Sequence, residues 1–325
     1  MPGLALLFAG QGAQYPGMGR DLCRNHRAAR ETFAEASDCL GLDLAALCFA
    51  ADGEEIGRTV NAQPAIYTLA MAQYRVLVEE YGAAPAVMAG HSLGEYAALA
   101  AAGSLGFAEA LALVAARARL MQEASGPDQA MAAVRGLDAG SVEEECRACA
   151  GSEVAVPACY NAPLQTVIAG HRTALARAGG SLVRLGGEIT PLKVSGAFHS
   201  PLMRRAAQEF GKILAQTAFK RPRTRVLANL DALPYADPDL IGDKLRLQMT
   251  RPVRWREAMD DLVRHGVDLA IELGPGAVLA GLLRANTDSI RALAYDRDGL
   301  REIGNLLGAT GKDVTTCGSA EATES

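Results

Sequence analysis

Gly90-His91-Ser92-Leu93-Gly94 sets a serine between two glycines, where an apolar run (85–89, PAVMA) gives way to an alanine-rich segment starting near Glu95. A strand that turns sharply into a helix through G-x-S-x-G exposes its serine hydroxyl beside the N–H groups of the helix N-terminus. This suits nucleophilic acyl transfer, because those N–H groups can hold the oxyanion that forms when the hydroxyl attacks a carbonyl. A serine that merely caps a helix is the plainer reading of the same residues. The nucleophile needs a base, and the chain has five histidines. His26, His171 and His265 lie among arginines in surface-like segments. His91 adjoins the serine, but neighbours in a sharp turn point apart. His199, in Gly196-Ala197-Phe198-His199-Ser200-Pro201, follows a strand and comes after the nucleophile, which is the order found in serine hydrolases. It is the candidate base. Arg117, judged by type alone, reads as a solvated arginine on a helix.

The elements that must carry these residues alternate between strand and helix. Residues 4–8 (LALLF) and 85–89 are short apolar strands, and 20–40, 61–80, 95–102 and 107–123 are helical. This pattern predicts an α/β fold, a hydrolase-like large domain with a mainly parallel sheet. From 130 onwards the order changes: strand 130–135, helix 140–150, strands 153–160 and 165–169 joined by a turn at Asn161, Ala162 and Pro163, helix 171–178 and strand 189–194. This βαββαβ order predicts an inserted small ferredoxin-like α+β subdomain. Strand 225–229, helix 253–265, strand 268–272 and a helix from 277 then resume the larger domain. The expected division is 1–127 and 196–308 for the large domain, 128–195 for the insert and 309–325 for a disordered tail.

With 50% hydrophobic and 21% charged residues and a net charge of −5, the composition is that of an ordinary globular protein and argues against nucleic acid as the main partner. No apolar stretch approaches the roughly 20 residues that span a membrane. The opening MPGLALLFAG reads as a core strand rather than a signal peptide, so a cytoplasmic location is expected. Seven scattered cysteines suggest reduced, buried thiols. Cys146 and Cys149 form a CxxC with no second pair and no nearby histidine, so no metal site is expected. GQGAQYPGMG has no usable dinucleotide fingerprint and no P-loop lysine.

Further stretches accompany GHSLGEY at 90–96: Gly10-Gln11-Gly12-Ala13-Gln14, Asn61-Ala62-Gln63-Pro64-Ala65, Arg117 with Leu120-Met121-Gln122, Tyr160-Asn161-Ala162-Pro163, GAFHSPLM at 196–203, Gln248 ahead of Pro252-Val253, and Glu272-Leu273-Gly274-Pro275-Gly276. In this order they resemble the malonyl-CoA:acyl carrier protein transacylases and the related polyketide acyltransferases, from residue 4 to about 306. The resemblance implies that Ser92 carries the acyl group and that His199 moves its proton. It implies that the backbone carbonyl of Gln248 orients His199, and that the backbone N–H groups of Gln11 and Leu93 form the oxyanion hole. Arg117 would grip the malonyl carboxylate with a two-pronged guanidinium. Phe198 and Leu93 would favour unsubstituted malonyl, and His91, Gln63 and Asn161 would join the substrate-binding side.

The activity so implied is transfer of malonyl from coenzyme A to the thiol of an acyl carrier protein, for fatty acid or polyketide synthesis. It would proceed in a monomer without a cofactor or metal. An acyl hydrolase on the same scaffold and a non-catalytic docking subunit are the alternatives. The stretch 179–190 (GGSLVRLGGEIT) departs from the family pattern in length and glycine content, close to the expected carrier face. Glu95 reads as favourable charge at a helix start.

Overall fold

Leu4 to Phe8 are all buried, as expected of an apolar run at the centre of a parallel sheet with both faces covered. The computed structural model describes residues 3–308, so the tail expected at 309–325 lies outside the described residues. The strands are β1 (Gly3–Phe8), β2 (Val87–Gly90), β3 (Gln129–Arg135), β4 (Ala155–Ala162), β5 (Gln165–His171), β6 (Glu188–Pro191), β7 (Arg225–Leu227), β8 (Val267–Leu273) and β9 (Arg291–Ala294). The larger sheet has the order β7-β2-β1-β8-β9, with every neighbouring pair parallel. Its carboxyl ends therefore lie on one edge, where loops from β1, β2 and β7 meet. Such an edge is where open α/β sheets build their sites.

The helix Thr59–Tyr81 is buried on nearly all sides, and its weak polar asymmetry matches that position. It packs against the helices Arg27–Leu40 and Phe107–Glu123. After Phe107–Glu123 the chain leaves the large sheet and forms the antiparallel sheet β4-β5-β3-β6, backed by helices Ala139–Ala150 and Arg172–Arg184. The ferredoxin-like order is therefore present. Alternation along β3 explains how this sheet is held. Ala132 and Val134 face a separate small core with Val142, Cys146, Ile168 and Leu182, while Met131 and Ala133 join the main core.

Several local expectations are corrected. The stretch 20–40 is two helices, broken at His26, which adopts an extended backbone. Asn161 and Ala162 complete β4, and the turn falls on Pro163 and Leu164. The helix expected at 171–178 continues to Arg184 and absorbs Gly179 and Gly180.

At the end of β2 the chain turns so tightly that the glycines on either side of Ser92 have no room for a side chain. A Cβ on Gly90 would lie 1.9 Å from the carbonyl carbon of Gly94, and one on Gly94 would lie 2.0 Å from the Phe8 oxygen. Both neighbours are backbone and cannot swing aside. Gly94→Ala is expected to cost more than about 3 kcal/mol, measured as a loss in chemical denaturation or as insoluble expression, because the clash is with the central strand.

Candidate active site

Ser92 sits at φ 51°, in the left-handed region that residues with a Cβ adopt only when the surroundings enforce it. Asn229, just beyond β7, supplies the enforcement. Its Oδ1 accepts the Ser92 N–H at 2.6 Å and its Nδ2 donates to the Gly90 carbonyl at 2.7 Å. The strained turn is thus clamped from both ends by one amide. His199 also has a left-handed backbone, φ 58°, on the loop that returns from the small sheet.

Ser92 Oγ and His199 Nε2 lie 2.7 Å apart, and His199 Nδ1 lies 2.7 Å from the main-chain oxygen of Gln248. A carbonyl can only accept, so Nδ1 carries the proton and Nε2 is free to accept from the serine hydroxyl. Gln248 ends the helix Ile241–Gln248, whose last carbonyls lack intrahelical donors. The negative end of that helix takes the place of a triad carboxylate. His199 is 4% exposed, and burial, followed by the charge of Arg117, pushes its pKa down to about 3. It is therefore neutral, as a base must be.

Arg117 is fully buried and reaches the same oxygen: its Nη2 donates to Ser92 Oγ at 2.9 Å and to Gln248 Oε1 at 2.9 Å, and its Nη1 donates to Gln63 Oε1 at 2.8 Å. The guanidinium lies 5.6 Å from the centre of the Tyr96 ring, and its Nε has no hydrogen-bond partner among the described residues. All its direct partners are neutral. Gln63 Nε2 in turn donates to Gln11 Oε1, and Gln11 Nε2 to Thr59 Oγ1, each at 3.1 Å. The backbone N–H groups of Gln11 and Leu93 meet no protein acceptor among the described residues. They are therefore available to an oxyanion.

His91 turns away from Ser92. Its Nε2 lies 2.9 Å from Asn161 Oδ1 and its ring 5.2 Å from that of Trp255, which ties the elbow to β4. Burial pushes its pKa down. Phe198 is buried in the main core and takes no part in the hydrogen-bonded cluster. Cys146 is buried in the core of the small sheet, and the described residues contain no group of metal-binding side chains.

A serine hydroxyl, a neutral histidine and a buried guanidinium thus meet within hydrogen-bond distance of one oxygen. The Acyl transferase domain family matches residues 5–316. The malonyl CoA-acyl carrier protein transacylase of Escherichia coli (strain K12) is 42% identical over 298 residues, covering 91% of this chain and 96% of that protein. The chain belongs to the malonyl CoA-acyl carrier protein transacylase family. A relative of the same name from Bacillus subtilis is 41% identical over 295 residues, covering 90% of this chain and 74% of the relative. The acyl carrier protein S-malonyltransferase structure from Vibrio cholerae O1 biovar eltor superposes with a TM-score of 0.89 at 38% identity, over 93% of this chain and 99% of that one. A malonyl-transacylase solved in complex with its type II PKS acyl-carrier protein gives 0.88 at 39% identity, over 90% and 95%.

In this transacylase three contributors escaped sequence reasoning. Asn229 directly follows the strand-like run RVLA, and a polar residue at the carboxyl end of a buried strand was the available signal. Glu95 was read as helix-start charge but is 1% exposed. It accepts from Gln248 Nε2 at 2.5 Å, Asn229 N–H at 2.9 Å and the Tyr235 hydroxyl at 2.6 Å. A lone acid ahead of the apolar run YAALAA was the clue. Tyr235 gave no local signal.

The depressed pKa of His199 sets a pH dependence for folding. Below its ordinary value of 6.5 the unfolded chain binds a proton that the folded chain refuses until about pH 3. This contribution to stability is complete above about 6.5 and is lost as the pH falls towards 3. His199→Asn should therefore lose less melting temperature than the parent between pH 6.5 and 4, read by thermal melts across that range.

Proposed function

We propose that Ser92, His199 and Arg117 carry a ping-pong transfer of malonyl from coenzyme A to the phosphopantetheine thiol of an acyl carrier protein. One observation carries this reading: a fully buried guanidinium, answered directly only by neutral oxygens, lies within hydrogen-bond reach of the nucleophile. A buried cation without an ionic partner is costly, and an acyl group ending in a carboxylate supplies that partner. Malonyl is the short acyl group of this kind that the relatives' names contain.

In the first half-reaction Ser92 Oγ attacks the thioester carbon and its proton passes to His199 Nε2. The carbonyl oxygen becomes an oxyanion between the Gln11 and Leu93 N–H groups. The C–S bond then breaks, and His199 returns the proton to the departing coenzyme A thiolate. In the second half-reaction the carrier thiol gives its proton to His199 and attacks the acyl-serine, and Ser92 leaves with that proton. The Nδ1–H bond to the Gln248 carbonyl holds the ring in the accepting tautomer throughout. A malonyl carboxylate on Arg117 offsets the charge that depresses His199, so the intended substrate also makes the base stronger.

The burial of His199 and Arg117 shields the acyl-enzyme from bulk water and favours transfer to a thiol over hydrolysis. These residues suffice for the chemistry without a metal or an organic cofactor. We assign a monomer, and a coenzyme A donor fits the cytoplasm. No described helix is long and apolar enough to cross a membrane. Leu93 and Phe198 are the residues we assign to the preference for unsubstituted malonyl, with His91, Asn161 and Gln63 supporting the substrate side. The carrier belongs to fatty acid or polyketide synthesis.

Initial rates with varied malonyl-CoA and carrier protein should give parallel double-reciprocal lines; intersecting lines would contradict an acyl-enzyme. Arg117→Ala should lose about 2–5 kcal/mol of preference for malonyl over acetyl, about 30-fold to several thousand-fold in the ratio of kcat/KM values.

A further inference from the structure

The hydrogen bonds that hold the turn of the nucleophile, the acceptor of the base and one prong of the carboxylate clamp lead back to one carboxylate. Asn229 clamps the Ser92 turn, and the Asn229 N–H donates to Glu95 Oε1. The main chain of Gln248 accepts from His199, and its Oε1 accepts from Arg117. Its Nε2 donates both to the Ser92 carbonyl at 2.9 Å and to Glu95 Oε2 at 2.5 Å. The Tyr235 hydroxyl completes the set on Oε1. Three donors therefore converge on Glu95. We propose that the Glu95 carboxylate is the positioning residue of the transfer reaction: in its anionic form it locks Gln248, and through Gln248 it sets the His199 acceptor and the Arg117 clamp. This rests on the roles of Ser92, His199 and Arg117 proposed above.

The amide of Gln248 could in principle sit either way round. With its Nε2 towards Glu95, its Oε1 must face Arg117, which is the polarity the guanidinium needs. If Glu95 takes a proton, its O–H must find an acceptor among three donors. The Tyr235 hydroxyl can rotate to accept it, and the bond from Gln248 Nε2 then ends on a neutral carboxyl group and loses its charge assistance. A protonated Glu95 therefore loosens its hold on the residue that keeps His199 and Arg117 in register.

The groups around Glu95 decide where this loosening occurs. Arg117 faces it from the helix Phe107–Glu123, and Tyr96 lies beside it on its own helix. Tyr235 comes from the loop after β7, with Asp231 on that loop and Lys244 lying 5.3 Å from the Tyr235 ring. His199 reaches it only through Gln248. Burial raises the Glu95 pKa to about 7, while Tyr235, Asn229, Gln248 and Arg117 all pull it down. His199, held near 3, leaves the neutral range free of its own titration. The acid limb of kcat/KM is therefore set by Glu95 rather than by the catalytic histidine.

The test is the pH profile of kcat/KM for malonyl-CoA, from pH 5 to 9, in the wild-type enzyme, Glu95→Gln and Tyr235→Phe. The wild-type profile should fall below an inflection near pH 7. Glu95→Gln should lower kcat/KM by about 10- to 100-fold at pH 8, through misplacement of the reacting groups, and should abolish the inflection. Tyr235→Phe removes one donor from the carboxylate without touching the reacting residues, so its inflection should move to higher pH. A variant that is merely less stable would lose rate at every pH without moving the limb, and thermal melts would record the loss. An inflection that stays in place in both variants would overturn the proposal. A wild-type enzyme with no malonyl transfer at any pH would instead strike at the reading of Ser92 and His199.

Discussion

A guanidinium with no solvent contact must be answered by the protein, and the way Arg117 is answered organises the whole site. Its direct partners, Ser92, Gln63 and Gln248, are neutral, and the nearest balancing charge, on Glu95, is reached only through the Gln248 amide. The cation is thus held in place without being neutralised. In the proposed reaction it receives the acyl carboxylate, and it adds to burial in depressing the neighbouring histidine. Direct pairing of Arg117 with a protein carboxylate would be more stable and would close the site to its substrate. The proposed mechanism depends on leaving one buried charge incompletely satisfied.

That arrangement needs parts from every region of the chain. The carboxyl ends of β1, β2 and β7 bring Gln11, Ser92 and Asn229 together. The helices Thr59–Tyr81 and Phe107–Glu123 bring Gln63 and Arg117, and the helix Ile241–Gln248 ends at the carbonyl that His199 requires. The small sheet is inserted between Arg117 and His199 in sequence, so the loop carrying the base starts where that sheet ends. Two strained backbones, at Ser92 and His199, are held against each other across a 2.7 Å hydrogen bond. The left-handed backbone at Ser92 is held by the two bonds from Asn229.

What could be read from the sequence was what is local. The elbow glycines announce themselves because a tight strand-to-helix turn has few solutions, and the βαββαβ order of the insert follows from short alternating runs. Gln11, Gln248 and Arg117 carry no such signature by type or spacing. Only resemblance to a family brought them forward, since a helical arginine and two glutamines look solvated in sequence, whereas the fold buries Arg117 and Gln248 and half-buries Gln11. Asn229, Glu95 and Tyr235 stayed hidden because their importance lies in contacts more than a hundred residues apart in sequence. The helices Arg204–Leu214 and Tyr295–Leu306 and the strand β9 were also not read. β9 has only four residues and runs directly into a helix, which leaves no turn residue to mark it. Confusion at 161–163 arose because Asn161 and Pro163 look like turn residues, whereas Asn161 is a strand-end residue facing His91.

The most direct measurement is intact-protein mass spectrometry after brief incubation with malonyl-CoA, methylmalonyl-CoA and acetyl-CoA in competition, followed by a chase with holo acyl carrier protein. The account predicts a single malonyl adduct on the wild-type chain. That adduct should be absent from Ser92→Ala and should pass to the carrier on the chase. An adduct that persists in Ser92→Ala, or one that decays to free malonate without appearing on the carrier, would contradict it.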